Sequence, residues 1–403
     1  MLTQGRSNRE HAPGMIHIFI NALAASAGGG LTYIRNVLPR LAIRDDVCVT
    51  LMISETLRSE IMPSARITIA QHASPAGSVE RFWYEQRNLP SIIRNSGADV
   101  LLSTGNFALY RSPVPQILLS RNALYLSSDF YRDLRERGDY RLWLDTEVKA
   151  AFARWSVRTA DCTVAPSSFF AGELAQWTGK DVVCIHHGFD RETFFRESSP
   201  LPQPVQEQIA ATGGSLRLLF VSHYNYYRNF ETLIRAIAVL KQKLRPRTVR
   251  LLLTCKLNSE DNPGDYRADS ATELVRHLGL KQEIVELGAV PYALLHHVYR
   301  ACDFYVTPAY AETFAHPLVE AMASGIPVIA SDLAVHREIC GAAAACFPRF
   351  SPEDLAELVI QTSKSPEKIA TMRDAGIARS QAFSWDKHVE RLLILAKGLT
   401  GYV

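Results

Sequence analysis

The sequence predicts an α/β protein of two halves, the second built on a doubly wound parallel sheet and the first on a similar plan. Three observations carry this. Short apolar, β-branched runs alternate with helical patterns at about the spacing of a βαβ unit. A stretch rich in Ser, Pro and Gly at 196–215, where apolar periodicity lapses, reads as a linker. The chain has 403 residues, enough for two or three domains, and the linker leaves each half long enough for its own core.

In the first half, Met15-Ile16-His17-Ile18-Phe19-Ile20 is a β-branched apolar run that reads as a buried strand. Gly28-Gly29-Gly30 follows, then a helical pattern over 31–42 with Leu31, Ile34, Val37, Leu38 and Leu41 on one face. Further strands are expected at Val47–Ile53, 99–103, Gln116–Leu119, Cys162–Ala165 and 182–185. Ser167 suits the N-cap of a helix reaching Trp177. In the second half, strands are expected at 216–222, 249–255, 284–287, Phe304–Thr307 and 327–331, with helices at 230–244, 272–278, 292–301, 317–323 and Pro352–Ser363. The expected organisation is a disordered tail at 1–14, a first domain at 15–195, the linker at 196–215, a second domain at 216–380 and a C-terminal segment at 381–403. In such sheets ligands sit beyond the carboxyl ends of the strands.

Composition removes several function classes. Apolar residues make up 47% and charged residues 21%, which excludes a disordered chain, a collagen-like repeat and a coiled coil. The net charge of +3 is too small to predict a nucleic-acid partner. The seven cysteines are odd in number and widely spaced without a C-x-x-C, against a disulfide framework or zinc ribbon. They are expected as free thiols, mostly buried, in a reducing compartment. No apolar stretch approaches the ~20 residues of a spanning helix. The cytoplasm is the expected location, with attachment at the inner face of a membrane left open.

The densest chemistry lies in DFYVTPAYAETFAHPLVEAMASGIPVIASD, residues 303–332. A strand ends near Thr307, a loop follows, and a helix starts with Pro317 in its first turn and stops at Gly325. Glu312 and Glu320 therefore flank one helix N-terminus. The amides of Thr313, Phe314, Ala315 and His316 are placed to meet phosphate oxygens, and the carboxylates to bond hydroxyls. A sugar on either side of a diphosphate, as in a nucleotide-sugar, has that form. The plainer reading of Glu320 alone is an acid that favours the helix dipole. Arg228 sits near another helix start, where a cation gains nothing from the dipole but can neutralise a departing diphosphate.

ETFAHPLVEAMASGIPVIASD resembles the E-x7-E signature of the retaining family 4 glycosyltransferases, which have the GT-B fold: two Rossmann-like, doubly wound domains facing a central cleft. The resemblance implies that Glu312 contacts the donor sugar and Glu320 the nucleotide ribose. The sequence departs from the usual pattern at Thr313, Ala315 and His316, and Ala315 replaces a glycine whose backbone approaches the donor. Residues 222–229 resemble G-R-x-x-x-x-K-N, whose two cations bind the diphosphate. His223 falls on the Arg position and Arg228 on the Lys position, and His223 is expected as a mostly neutral hydrogen-bond donor. Gly29 and Gly30 resemble the first glycine loop, beneath the diphosphate and beside the acceptor. Arg121-Asn122 stand where many members carry a His, which implies contact with donor or acceptor. Val290, in the loop 290–292, and the loop 255–257 resemble segments that read the base largely through backbone. His187-Gly188-Phe189-Asp190 matches an N/H-G-V-D stretch, with His187 open to two readings, an ordered turn residue or a base. Phe383-Ser384-Trp385 and the amphipathic stretch 389–395 resemble a C-terminal helix that returns to the first domain.

The implied function is retaining transfer of a sugar from a UDP- or GDP-sugar to a glycan, lipid-linked or small-molecule acceptor. No cofactor is expected beyond that co-substrate, and no Asp-x-Asp element is placed for a metal. A nucleotide-sugar epimerase and a catalytically degenerate nucleotide-sugar binding module are the alternatives. An NAD oxidoreductase is disfavoured by the lack of G-x-G-x-x-G. The segment 132–158, rich in Arg and aromatics, reads as an amphipathic surface helix or as a membrane-facing one.

Overall fold

The computed structural model describes residues 15–25, 28–58, 61, 63–70, 77–258 and 266–401. The tail expected at 1–14 lies outside them. The first sheet holds β1 (Ile16–Ala22), β2 (Val47–Ile53), β3 (Ile67–Ile69), β4 (Val100–Ser103), β5 (Gln116–Leu119), β6 (Cys162–Ala165) and β7 (Val182–Cys184), in the order β3-β2-β1-β4-β5-β6-β7. The second holds β8 (Leu216–Phe220), β9 (Val249–Leu253), β10 (Ile284–Glu286), β11 (Phe304–Thr307), β12 (Val328–Ser331) and β13 (Ala344–Phe347), in the order β10-β9-β8-β11-β12-β13. Each pairing between these strands is parallel. Both sheets are therefore Rossmann-like. In each, the strand order reverses at the first strand, between β1 and β4 and between β8 and β11, and a crevice opens at the carboxyl ends there.

Two helices cross between the halves. Trp385–Thr400, capped by the Ser384 hydroxyl, which accepts the amides of Asp386 and Lys387, returns to the first half. There Trp385, Val389, Leu392, Leu393 and Ala396 join one core with Val37, Leu41 and the inward face of β1. Its approach is close: a Cβ on Gly188 would stand 2.0 Å from the Trp385 nitrogen. Arg40 links both segments, with Asp386 at 3.0 Å and Asp190 at 2.9 Å. In the other direction, helix Ser128–Glu136 leaves the first half and buries Phe130 and Leu134 in the core of the second.

Three expectations change. The stretch 196–215 is not bare linker: it carries helix Gln203–Ala210, which packs Val205 and Ile209 into the second half. The segment 132–158 is split at Gly138, whose φ of 66° ends the first helix; Asp139 then caps a second helix, Tyr140–Thr159. That second helix leaves Tyr140, Leu144, Val148 and Trp155 exposed. The triple glycine is no separate loop: the helix runs Gly28–Ala42, so Gly29 and Gly30 lie in its first turn. Among the described residues no helix is long and apolar enough to cross a membrane.

Gly188→Ala should cost about 2–3 kcal/mol by overpacking against the Trp385 backbone. The loss should appear as a lower urea midpoint, with a variant on open space, Gly172→Ala, free of that steric cost.

Candidate active site

The cleft between the halves has a volume of about 730 Å³. Its geometry starts at the exit of β8. The turn Tyr226–Arg228 ends at Asn229, whose left-handed backbone (φ 55°) sends the chain into helix Phe230–Lys243. The Asn229 side chain donates to the carbonyls of Pro308 at 3.1 Å and Arg349 at 2.7 Å, and the Tyr310 amide donates to the Tyr227 carbonyl at 3.0 Å. These bonds stitch the turn to the loop after β11. They bring the Arg228 guanidinium onto the Glu312 carboxylate as an ion pair. Burial opposes the charge on Arg228, but Glu312 more than offsets it and keeps the group protonated. The buried Nε of Arg228 has no acceptor among the described residues.

The loop continues with the Thr313 amide donating to the same Glu312 carboxylate at 3.2 Å, so that amide is already committed. Of the four amides expected to meet an anion, those of Phe314, Ala315 and His316 are left without that commitment. Ala315 is left-handed (φ 64°, ψ 67°) and precedes helix His316–Ser324, which therefore begins one residue before Pro317. A glycine adopts that backbone freely, whereas an alanine carries a strain of about 1 kcal/mol. Glu320, one helical turn in, is buried and accepts a hydrogen bond from the Tyr299 hydroxyl at 2.8 Å. Burial raises its pKa to about 7.

On the opposite wall, Arg121 donates to the carbonyls of Thr104 at 2.6 Å and Gly29 at 3.0 Å, and lies over the Tyr33 ring at 5.2 Å. A Cβ on Gly30 would press to 3.2 Å from the Ala25 Cα, so glycine keeps this turn close to Arg121. The Asn122 side chain accepts the Leu124 amide at 3.0 Å and caps the turn Ala123–Tyr125. Its carbonyl oxygen is thus committed to local structure, although the residue faces the cleft. His223 is exposed beyond β8, and Val290 comes from the loop after β10.

A histidine cluster joins the walls. His187 Nδ1 and His316 Nε2 are 3.1 Å apart, and the two rings stack. His388, from the returning helix, donates Nδ1–H to the His186 carbonyl at 2.9 Å and accepts the Tyr33 hydroxyl at Nε2, 3.0 Å away. Burial, with Arg121 nearby, holds both His316 and His388 down at about 4. Burial and its histidine neighbours drive His187 well below its usual value. The cluster is neutral at pH 7. His187 is thus tied to an ordered junction, with one ring nitrogen already bonded.

Every residue singled out from the sequence, Glu312, Arg228, His223, Glu320, Thr313, Phe314, Ala315, His316, Gly29, Gly30, Val290, Arg121 and Asn122, lines this one cleft. In the loop 255–257 the Cys255 and Leu257 side chains turn into the core, and the preceding Thr254 lines the cleft. Sequence reading missed Arg81, Asn106, Tyr125 and Lys149, which line the first-half wall. They come from separate elements and form no linear pattern.

Residues 204–379 match the family described as glycosyl transferases group 1. The match takes in a little under half of the chain and lies within its second half. It holds Arg228, Glu312 and Glu320, whereas the glycine turn and Arg121 come from the other half. D-inositol 3-phosphate glycosyltransferase of Nocardia farcinica is 27% identical over 188 residues, 46% of this chain and 41% of that protein. Mannosylfructose-phosphate synthase of Agrobacterium fabrum is 26% identical over 249 residues, 60% of this chain and 54% of that protein. The matches thus take in about half the length of these curated relatives. Sucrose-phosphate synthase of Thermosynechococcus elongatus superposes over 96% of this chain and 100% of its own, with a TM-score of 0.74 at 18% identity. Anabaena HepE, crystallised with UDP and glucose, covers 95% of this chain and 100% of its own at 0.69 and 18%. The architecture is GT-B.

The raised pKa of Glu320 fixes a pH signature. A carboxyl whose folded pKa (about 7) exceeds its reference value of 4.5 holds its proton longer in the folded state, so its contribution to stability falls as pH rises through that window. The stability difference between wild type and Glu320→Gln should therefore shift against the wild type by about 3 kcal/mol between pH 4.5 and 7. Urea unfolding of both proteins across that range measures it, and the histidines cancel in the difference.

Proposed function

We propose that the protein is a retaining glycosyltransferase that takes a sugar from a nucleoside-diphosphate donor bound in the cleft between the halves. The observation that carries this reading is the Arg228–Glu312 pair beside the helix start at Ala315–His316, facing the glycine turn across the cleft. In the empty cleft Glu312 neutralises Arg228. An entering diphosphate competes for the same guanidinium, whose Nε still lacks an acceptor, and releases Glu312 to accept hydroxyls of the donor sugar. The ribose falls to Glu320 and the base to the backbone near Val290. His223 is a hydrogen-bond donor to the diphosphate, and the amides of Phe314, Ala315 and His316 take further oxygens.

As the bond to the sugar breaks, negative charge grows on the departing diphosphate. Arg228, once it has exchanged Glu312 for the diphosphate, answers that charge together with His223 and the helix amides, so the charge balance is met by protein groups. Same-face attack by the acceptor hydroxyl retains configuration, and its proton passes to a donor phosphate oxygen. Closure of the halves limits attack by water. The acceptor, a glycan, a lipid-linked sugar or a small molecule, meets the first-half wall at Arg81, Asn106, Tyr125 and Lys149. UDP-sugars are the first donors to test, since HepE was crystallised with UDP-glucose, and GDP-sugars the next.

Calorimetry with UDP and GDP, followed by turnover with their sugars, tests the reading. Arg228→Ala should lower kcat about 10²- to 10³-fold. Donor binding without turnover would leave a binding module, and no binding of either nucleotide would sink the proposal. His223→Ala should slow transfer at saturating donor, by less than Arg228→Ala because His223 is exposed whereas Arg228 is a permanent cation paired inside the cleft. An unchanged rate there removes His223 from the site.

A further inference from the structure

Behind the cleft, where the halves meet again, lies a cluster that the reaction does not use. Cys184 ends β7 and His186 follows two residues later, so an extended backbone turns both side chains to one side. Glu338 reaches the same point from helix Ala334–Cys340 of the second half. Its Oε1 is 2.7 Å from His186 Nε2. The Cys184 sulfur, a His186 ring nitrogen and a Glu338 oxygen all lie within 4.8 Å of one another, and all three residues are half-buried. We propose that Cys184, His186 and Glu338 form a binding site for a zinc-like transition-metal ion that clasps the two halves of the chain.

The donor set selects the metal class. A thiolate with an imidazole and a carboxylate suits Zn²⁺ or Co²⁺ and discriminates against Mg²⁺ and Ca²⁺. Tetrahedral zinc with these ligands needs ligand atoms roughly 3.3–3.6 Å apart, so rotation of the side chains by about an ångström closes the site. Much of the cluster is already oriented. Glu338 accepts the amides of Ser168 at 2.7 Å and Phe169 at 2.8 Å, which fixes its carboxylate. The His186 carbonyl is held by His388, and its ring lies edge-on to Phe383. Binding displaces the Cys184 thiol proton into solvent and leaves a fourth position open to water. The clasp joins β7 of one half to a helix of the other, beside the junction at Gly188. It is independent of the nucleotide-sugar reading.

Titration of the untagged, reduced full chain with Co²⁺ tests it. One equivalent should bind with tetrahedral visible bands and a thiolate-to-cobalt charge-transfer band in the near ultraviolet, and Zn²⁺ should bleach both. Zn²⁺ should also raise the melting temperature of the wild type. Cys184→Ser, shown to be folded by an unchanged circular dichroism spectrum without metal, should lose the charge-transfer band and bind about 100-fold more weakly or worse. Absence of that band in the wild type, or its persistence in Cys184→Ser, overturns the proposal. Nucleotide binding measured on the same samples keeps this result separate from the function of the cleft.

Discussion

The cleft exists because each half of the chain is completed by a helix from the other side of the boundary. The returning helix Trp385–Thr400 supplies the outer layer of the first core, and helix Ser128–Glu136 supplies part of the second. Neither exchange depends on the chemistry in the crevice. Together they set two sheets with their carboxyl ends facing, which is the condition for one ligand to touch both. The contact at Gly188 is the tightest point of this arrangement, since backbone meets backbone with no room for a side chain. Arg40, His187 and His388 then fasten the junction with polar contacts that are neutral or paired, as burial requires.

Within that frame, the electrostatics of the cleft are asymmetric. The second-half wall holds a buried ion pair and a buried carboxyl at one helix start, while the first-half wall presents Arg121 locked onto carbonyls. Desolvation is what makes these groups responsive. A guanidinium in water would exchange one anion for another with little consequence, but Arg228, a permanent cation opposed by burial, is costly to leave without a counter-ion. The empty site satisfies that need internally through Glu312. An incoming polyanion changes which group answers it, and Glu312 lines the cleft that such a ligand would enter.

Much of the fold and the second-half wall was legible in the sequence because both are local. Strands β8, β11 and β12 are apolar runs, and the signals from Glu312 to Gly325 fall within a single loop and helix. The edge strands were not legible: β3 has three residues, and β13 opens on Ala-Ala-Cys, residues with little strand preference. Helix Gln203–Ala210 was hidden by its flanking prolines and glycines, which are ordinary helix boundaries when the interior packs. The first-half wall was hardest, because Arg81, Asn106, Tyr125 and Lys149 converge only after folding. Arg121 and Asn122 were placed correctly at the cleft, but their internal bonds, to carbonyls and to a capped turn, depend on partners that no motif specifies. The pairing of Glu338 with His186, 152 residues away, is of the same kind.

The crossed helices also bear on how such chains can be recombined. The natural seam for a chimera, near the middle of the chain, would separate the first sheet from the helix that finishes its core. A hybrid made by exchanging second halves would bring a foreign C-terminal helix onto Val37 and Leu41 and a foreign backbone onto Gly188. The interchangeable unit is therefore discontinuous: residues 385–400 travel with the front of the chain, even though they follow the second half in the sequence.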